Sequence, residues 1–401
     1  MIRTTDRAWA EISLDHISFN YHAMSEQLQP GCQLIAVLKA DGYGHGAVAI
    51  GRFLEKLGCK LFAVASLEEA LELREHGISV PIMLLSPIDP KWVSLALDNR
   101  LIVPLVSESA AKRLAEQAQA EHKALHTYIK VDCGLSRFGI VIAGREKLAA
   151  EEVCSIANMP GLSIHSLMTH LTAGGVAQQN ELNLKQLNCF REFCDVLEQR
   201  GVVLRRHCCA SRLAVRYSDF QFDYVRIGSN LFGVHPYYGE GPHFRPALQL
   251  KARILQIKEV EAGTTVGYGP AYTTKRRSRV AVLPIGYVDG LSCRLGNQMH
   301  VLVDGRRVPQ IGRLCMDYCM LDVTDVPDVK EGDVVTIFGE NGGQFLSVQE
   351  HAAIYGGTAS ELICLLGRRI PRFYFRNGIK LDNADIFGSK YEKGSCDDEK
   401  S

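Results

Sequence analysis

The chain has 401 residues, 46% of them hydrophobic and 22% charged, with 45 Lys and Arg balancing 45 Asp and Glu. That length exceeds one average domain, and the balanced charge argues against nucleic acid or an anionic membrane surface as the main partner. Met1 to Arg7 lead into no apolar signal core and no uncharged apolar run is long enough to span a bilayer, so a cytoplasmic chain with no membrane contact is expected.

The first predicted strand covers 34–39, a continuous apolar run that ends in Lys39 and is followed by the glycine-rich turn Asp41-Gly42-Tyr43-Gly44-His45-Gly46. An apolar run without alternation reads as a strand covered on both faces, as in a parallel sheet. Similar runs follow at 61–65, 81–85, 101–105, 126–131, 163–169, 204–209 and 224–228. Helix signals fall between them. Ser66 and Glu69 have capping-box spacing, and Gly77 marks the end of that helix. Residues 107–121 are rich in Ala, Glu and Lys, and 178–200 carry Leu182, Leu184, Leu187, Phe190, Phe193 and Leu197 at roughly helical spacing. Strands alternating with helices in this number predict an α/β fold, an N-terminal (β/α)8 barrel. A doubly wound open sheet is the alternative, since a strand count does not prove closure.

Past residue 240 the rhythm changes. Leu248–Val260, Arg279–Pro284, His300–Val303, Tyr318–Val323 and Val334–Phe338 are short, rich in Val, Ile and Leu, and separated by turn signals such as Asp304-Gly305 and Asn341-Gly342-Gly343. They predict a C-terminal mostly-β domain. The expected boundaries are a barrel over 10–240, a β domain over 241–385 joined by residues 1–9, and a disordered polar tail over 388–401. Thirteen cysteines with no CxxC pair read as reduced, mostly buried thiols. Cys315 and Cys319 fall in an expected strand, so no metal site is expected.

In a barrel, functional groups gather at the C-terminal ends of the strands. Those positions hold Lys39, then Lys130, Asp132, Gly134 and Arg137, then His170, Ser211, Arg226 and Gly228-Ser229. A part-buried lysine there loses its proton more easily and serves as a base or Schiff-base former. Glycines of the first turn, Ser211 and the Gly228-Ser229 backbone form a candidate anion cradle. The first turn is not GxGxxG and lacks an acidic residue placed for a ribose, so nicotinamide binding is not expected. Singly, each residue has a plainer reading: a lysine snorkelling to water, a core histidine, an arginine in a structural ion pair.

Several motifs in order carry a resemblance over Ala10 to Phe375. AVLKADGYGHGA (36–47), KVDCGLSRFG (130–139), THL (169–171), FDYVRIGSNLFG (222–233), TVGYGPAY (265–272), PIGYVDG (284–290) and GRLCMD (312–317) resemble motifs of the alanine racemase family, pyridoxal phosphate enzymes of fold type III. The resemblance implies a two-base racemase that interconverts L- and D-alanine, an isomerase supplying D-alanine for cell-wall (peptidoglycan) precursors. It implies that Lys39 holds pyridoxal 5'-phosphate and acts as one base, and that Tyr268 is the other. It further implies that Tyr43, Ser211, Gly228 and Ser229 bind the cofactor phosphate, that Arg226 faces the pyridine nitrogen, and that Arg137 contacts the phenolic oxygen and the substrate. His170 would pack against the ring, Met316 and Tyr287 would bind substrate, and Lys130 matches a position that is often carbamylated. The sites would be shared across a homodimer.

Three positions depart from the family pattern. Ser360 stands where a tyrosine contacting the phosphate is usual, which opens room and makes serine or alanine/serine racemisation the alternative activity. Ala210-Ser211 replaces Asn-Ser, and Thr172-Ala173-Gly174-Gly175 lacks the usual acidic residue. A non-catalytic pyridoxal-phosphate-binding protein is a further reading, although such proteins lack a second domain and an opposing tyrosine.

Overall fold

A computed structural model describes residues 7–172, 180–234, 242–382 and 386. The expected tail at 388–401, the boundary at residue 240 and most of the departure at 172–175 lie outside the described residues.

Eight parallel strands form the first domain: Gln33–Val37, Phe62–Val64, Ile82–Leu84, Leu101–Leu105, Leu125–Asp132, Leu162–Met168, Arg205–His207 and Tyr224–Ile227. Each lies within two residues of its sequence-predicted span. They pair in chain order, and the last returns to the first, with Tyr224 opposite Gln33 and Arg226 opposite Ile35. The seventh and eighth meet through only two backbone hydrogen bonds, Arg226 N–H to Cys209 O at 3.2 Å and Asp223 N–H to Arg206 O at 3.1 Å. The result is a barrel rather than an open sheet. Its interior is filled by Ile35, Val37, Ala63, Met83, Ile102, Tyr128, Met168 and Tyr224, as expected of strands buried on both faces. That packed plug leaves one cavity at each end of the barrel.

The covering helices form where their caps predict. Ser66 and Glu69 close a capping box at the head of Leu67–Glu75, and Ser107 Oγ accepts from Ala110 N–H at 3.2 Å at the head of Glu108–Ala120. The long helix Asn180–Gln199 departs from expectation in one respect. Leu187, Phe190, Phe193 and Leu197 are buried, but Leu182 and Leu184 are exposed. Residues two apart on a helix do not share a face, and the buried stripe starts instead at Asn183 and Gln186.

The second domain is built on an eleven-stranded sheet. Ala8–Ser13 pairs antiparallel with Leu248–Arg253 and parallel with Arg372–Arg376. The chain therefore starts in the β domain and crosses to the barrel at Leu14, whereas the sequence reading began the barrel at residue 10. The run Leu248–Val260 divides into two strands, Leu248–Arg253 and Gln256–Val260. Arg306–Ile311 is a strand that the sequence reading missed; its arginines, proline and glutamine conceal the alternation. Two short helices, Val348–Tyr355 and Ala359–Cys364, close the domain. All twelve cysteines among the described residues are free, six of them buried. No helix among the described residues is long and apolar enough to cross a membrane.

Candidate active site

Lys39 does not simply end a strand. The four residues after it, Ala40, Asp41, Gly42 and Tyr43, have φ of 54°, 52°, 59° and 52°, one left-handed turn. For residues with a Cβ this conformation costs about 1–2 kcal/mol each, so the surroundings must hold it. Glu69 Oε1 accepts from Ala40 N–H at 2.6 Å, while its Oε2 accepts from Ala65 N–H at 2.7 Å and, in the capping box, from Ser66 N–H at 3.4 Å. Asp41 Oδ1 accepts from Ala47 N–H at 2.8 Å. His45 Nδ1 lies 3.1 Å from Gly42 O and 2.8 Å from Tyr43 O and donates to them. The turn is wedged against the β domain, where a Cβ on Gly44 would sit 2.5 Å from Ile363 O and one on Gly46 would strike the Tyr374 hydroxyl. The first-turn glycines thus serve close packing and do not line the cavity, contrary to the expected cradle.

The turn delivers Lys39 and Tyr43 into a cavity of about 420 Å³ at the C-terminal ends of the strands. Lys130, Arg137, His170, Ser211, Arg226, Gly228 and Ser229 line the same cavity. Four other sequence candidates do not. Tyr268, Met316 and Tyr287 are 72%, 52% and 42% exposed on the β domain. Ser360 is half-buried on the helix Ala359–Cys364 and is not part of the lining. The segments bearing Tyr287 and Met316 are tied together: Val288 N–H donates to Met316 O at 3.1 Å, and the buried Asp289 pairs with Arg7 at 2.8 Å and Arg369 at 3.3 Å.

Arg226 is buried to 3% exposure in the barrel wall. Its guanidinium donates to His207 Nδ1 at 2.8 Å, His170 Nδ1 at 3.1 Å, and Thr169 O and Cys208 O at 3.0 Å. Guanidinium is never an acceptor, so both imidazoles must be neutral, with their protons on Nε2. Burial and the adjacent Arg226 charge push His170 down to about 2 and His207 well below the ordinary range. Lys130 is lowered to about 8 by burial and by Arg226, against the pull of Asp132. Tyr43 is raised to about 12, chiefly by burial. Sequence reasoning missed Glu69, His45 and His207 as positioning groups; only the Ser66/Glu69 spacing hinted at one of them.

The buried histidines carry a consequence for stability. His45, lowered to about 4 mainly by burial, His170 and His207 all stay neutral in the folded chain where the unfolded chain protonates. Their contribution is complete above about pH 6.5 and falls by about 1.4 kcal/mol per pH unit per histidine as pH drops toward each folded value. The urea midpoint is expected to decline steeply between about pH 7 and pH 5; a flat profile would show that these imidazoles are charged in the folded state.

Among the described residues, the lining carries Lys39, Lys130, Arg137, Arg212 and Arg226 and no carboxylate. At one side Ser211 Oγ accepts from Gly228 N–H at 3.2 Å, and a Cβ on residue 228 would meet Tyr43 Oη at 2.5 Å. A hydroxyl-and-backbone recess that only glycine permits suits a phosphate, and a free lysine amine suits an aldehyde. The residues therefore fit pyridoxal 5'-phosphate. Fold and site together define a pyridoxal-phosphate enzyme built on a barrel with an appended β domain.

The comparisons agree. Residues 12–236 match the alanine racemase N-terminal domain and 247–374 the alanine racemase C-terminal domain. The chain is 35% identical over 376 residues to alanine racemase of Desulfosudis oleivorans, covering 92% of this chain and 96% of that one. It is 36% identical over 375 residues to that of Halothermothrix orenii, covering 93% and 98%. Among solved structures, alanine racemase from Bacillus anthracis with bound L-Ala-P superposes with a TM-score of 0.88 at 29% identity, covering 95% and 98%. The Bartonella henselae enzyme with covalently bound pyridoxal phosphate superposes at 0.82 and 30% identity, covering 92% and 99%. The chain belongs to the alanine racemase family. Nothing among these relatives favours the serine-racemase or non-catalytic readings.

Proposed function

We propose that this chain interconverts L- and D-alanine with two opposed bases, Lys39 and Tyr268 of the partner subunit. The observation that carries the reading is the convergence, in one cavity without a carboxylate among its described lining, of Lys39, the Gly228 recess and the five-bonded Arg226. Pyridoxal phosphate, when bound, supplies an electron sink for the bond to the substrate's α-hydrogen. Lys39 would hold it covalently, and Tyr43, Ser211, Gly228 and Ser229 would bind its phosphate. Lys39 Nζ then takes or returns the α-proton on one face. Racemisation needs a second acid–base group on the other face. Arg226 supplies a charge that titration does not remove, and its partners prevent it from moving. Arg137 is assigned to the cofactor's phenolic oxygen and the substrate, the backbone N–H of Met316 to the substrate carboxylate, and Tyr287 to substrate binding.

The test is turnover of L-alanine and L-serine by the cofactor-loaded protein, read as D-amino acid formed. Alanine turnover with slower serine turnover is the expected result. Serine is admitted because a pocket rejects an added hydroxyl only weakly. Cofactor binding without turnover of either substrate would overturn the reading.

Tyr268, Tyr287, Val288, Met316, Tyr318 and Leu365 are all large side chains more than 40% exposed on the β domain. An apolar surface of this kind marks an interaction site, and we assign it to a two-fold homodimer that lays it over the partner's cavity mouth. Sedimentation at micromolar concentration should show a dimer, and Tyr318→Glu with Leu365→Glu should give monomers that bind cofactor but do not racemise. A wild-type monomer with full activity would sink the shared-site assignment.

We also assign a carbamate to Lys130. Its amine, lowered to about 8 and held 3.0 Å from Val131 O, is partly neutral in mild base and so open to carbon dioxide. Carbamylation turns a cation into an acceptor for Arg137. Labelled bicarbonate should give a carbamate carbon resonance that Lys130→Ala removes; a wild-type spectrum without it would exclude the modification.

A further inference from the structure

The cavity at the opposite, N-terminal end of the barrel has a volume of about 400 Å³, close to that of the candidate active site. Lys60, Arg74, Arg100 and Arg205 stand around it, and among the described residues no carboxylate lines it. Among the described residues, none of these four cations makes an ion pair. Arg74 spends Nε and Nη1 on the carbonyls of Asn99, Ile78 and Val80, leaving Nη2 buried without a partner. The nearby carboxylates are engaged elsewhere: Glu55 accepts from Ser79 and Val80, and Asp223 from Arg206 N–H.

The floor of this cavity is Tyr224, 3% exposed. Its hydroxyl ends a chain of hydrogen bonds that starts at Arg226. Since Arg226 must donate to His207 Nδ1, His207 carries its proton on Nε2 and donates to Ser166 Oγ at 3.2 Å. Ser166 is fully buried, and its own proton has one acceptor among its partners, His165 Nδ1 at 3.1 Å. Leaving a buried hydroxyl proton unpaired costs about 1–3 kcal/mol, so the chain runs outward. His165 then donates through Nε2 to Tyr224 Oη at 3.4 Å, and Arg205 Nη1 donates to the same oxygen at 2.5 Å. With Tyr224 Oη accepting from both, its proton has no acceptor among the described residues. The cavity thus presents the Tyr224 hydroxyl and the heads of Lys60, Arg100 and Arg205, beside the neutral side chains of Gln33 and Ser79.

We propose that the foot of the barrel is a binding site for a small phosphate-bearing anion, inorganic phosphate or a soluble phosphate monoester. A phosphate offers three or more strong acceptor oxygens and up to two negative charges, which matches a site ringed by Lys60, Arg74, Arg100 and Arg205. A single carboxylate would leave most of these donors unmatched.

Calorimetric titration of inorganic phosphate into the cofactor-loaded protein, at ionic strength held with chloride, tests this while the cofactor's absorbance is followed. The expected result is saturable binding with a Kd of about 1 mM or tighter and no loss of cofactor. Lys60→Gln with Arg100→Gln, both at exposed positions, should weaken binding roughly tenfold or more, and Tyr224→Phe, which removes the donor and also the acceptor of His165 and Arg205, several-fold. Arg276→Gln, at an exposed cation elsewhere on the β domain, should leave it unchanged. Absence of saturable heat overturns the proposal, as does wild-type affinity in the Lys60/Arg100 double variant. Displacement of the cofactor during the titration would assign the phosphate to the other end of the barrel and overturns it equally.

Discussion

Replacing Tyr268 with phenylalanine is expected to lower alanine racemisation by roughly 10²–10⁴-fold while leaving cofactor binding intact, because one properly placed acid–base group contributes about that much. The residue is 72% exposed and lies outside the cavity of its own chain. Loss of its hydroxyl therefore removes no buried hydrogen bond and should not unfold the protein. The readouts are kcat in each direction and solvent-deuterium uptake at the substrate α-carbon. Lys39 should still exchange the proton of the enantiomer that faces it, so uptake persists for one enantiomer and nearly stops for the other. Equal loss of uptake for both enantiomers, or none, would refute the two-base assignment.

Replacing Arg226 with methionine is expected to damage both stability and activity. Five acceptors, His207 Nδ1, His207 O, His170 Nδ1, Thr169 O and Cys208 O, would lose their donor in the barrel wall. Stranding buried partners of a charged group costs about 3–5 kcal/mol, which should lower the thermal midpoint clearly. Turnover should fall by roughly 10²-fold or more, since a fixed charge in a dry site supplies a large share of transition-state stabilisation. A second readout separates electrostatics from unfolding. Without the guanidinium, His170 and His207 lose the cation that joins burial in holding them down, so their resonances in the folded variant should titrate at higher pH than in the wild type. Unchanged titration would mean that burial alone keeps them neutral.

The barrel was legible because each strand is an apolar run covered on both faces, so period and length marked it without tertiary information. The β domain was less so. Arg306–Ile311 was lost because Arg306, Arg307 and Pro309 are all exposed and break the alternation expected of a half-buried strand. Leu182 and Leu184 were counted into a stripe they do not join, since composition outweighed helical phase. The cavity-lining candidates from Lys39 to Ser229 could be found from strand ends and motifs. The groups that hold them could not, because Glu69 reaches Ala40 across 29 positions and His207 reaches Arg226 across 19.

By itself the sequence determined what local pattern and residue chemistry dictate: eight strands alternating with helices, a following β region, a lysine at a strand end, and the order of motifs that defines the family. Tertiary structure alone decided three things. It decided that Ala8–Ser13 joins strands at 248–253 and 372–376, a pairing set by the loop closure of the whole barrel and not by neighbours in sequence. It decided the left-handed turn after Lys39, which local energetics oppose and distant contacts enforce. It also decided the protonation of the histidines around Arg226, because a pKa is fixed by burial and nearby charge, and both exist only once the chain has folded.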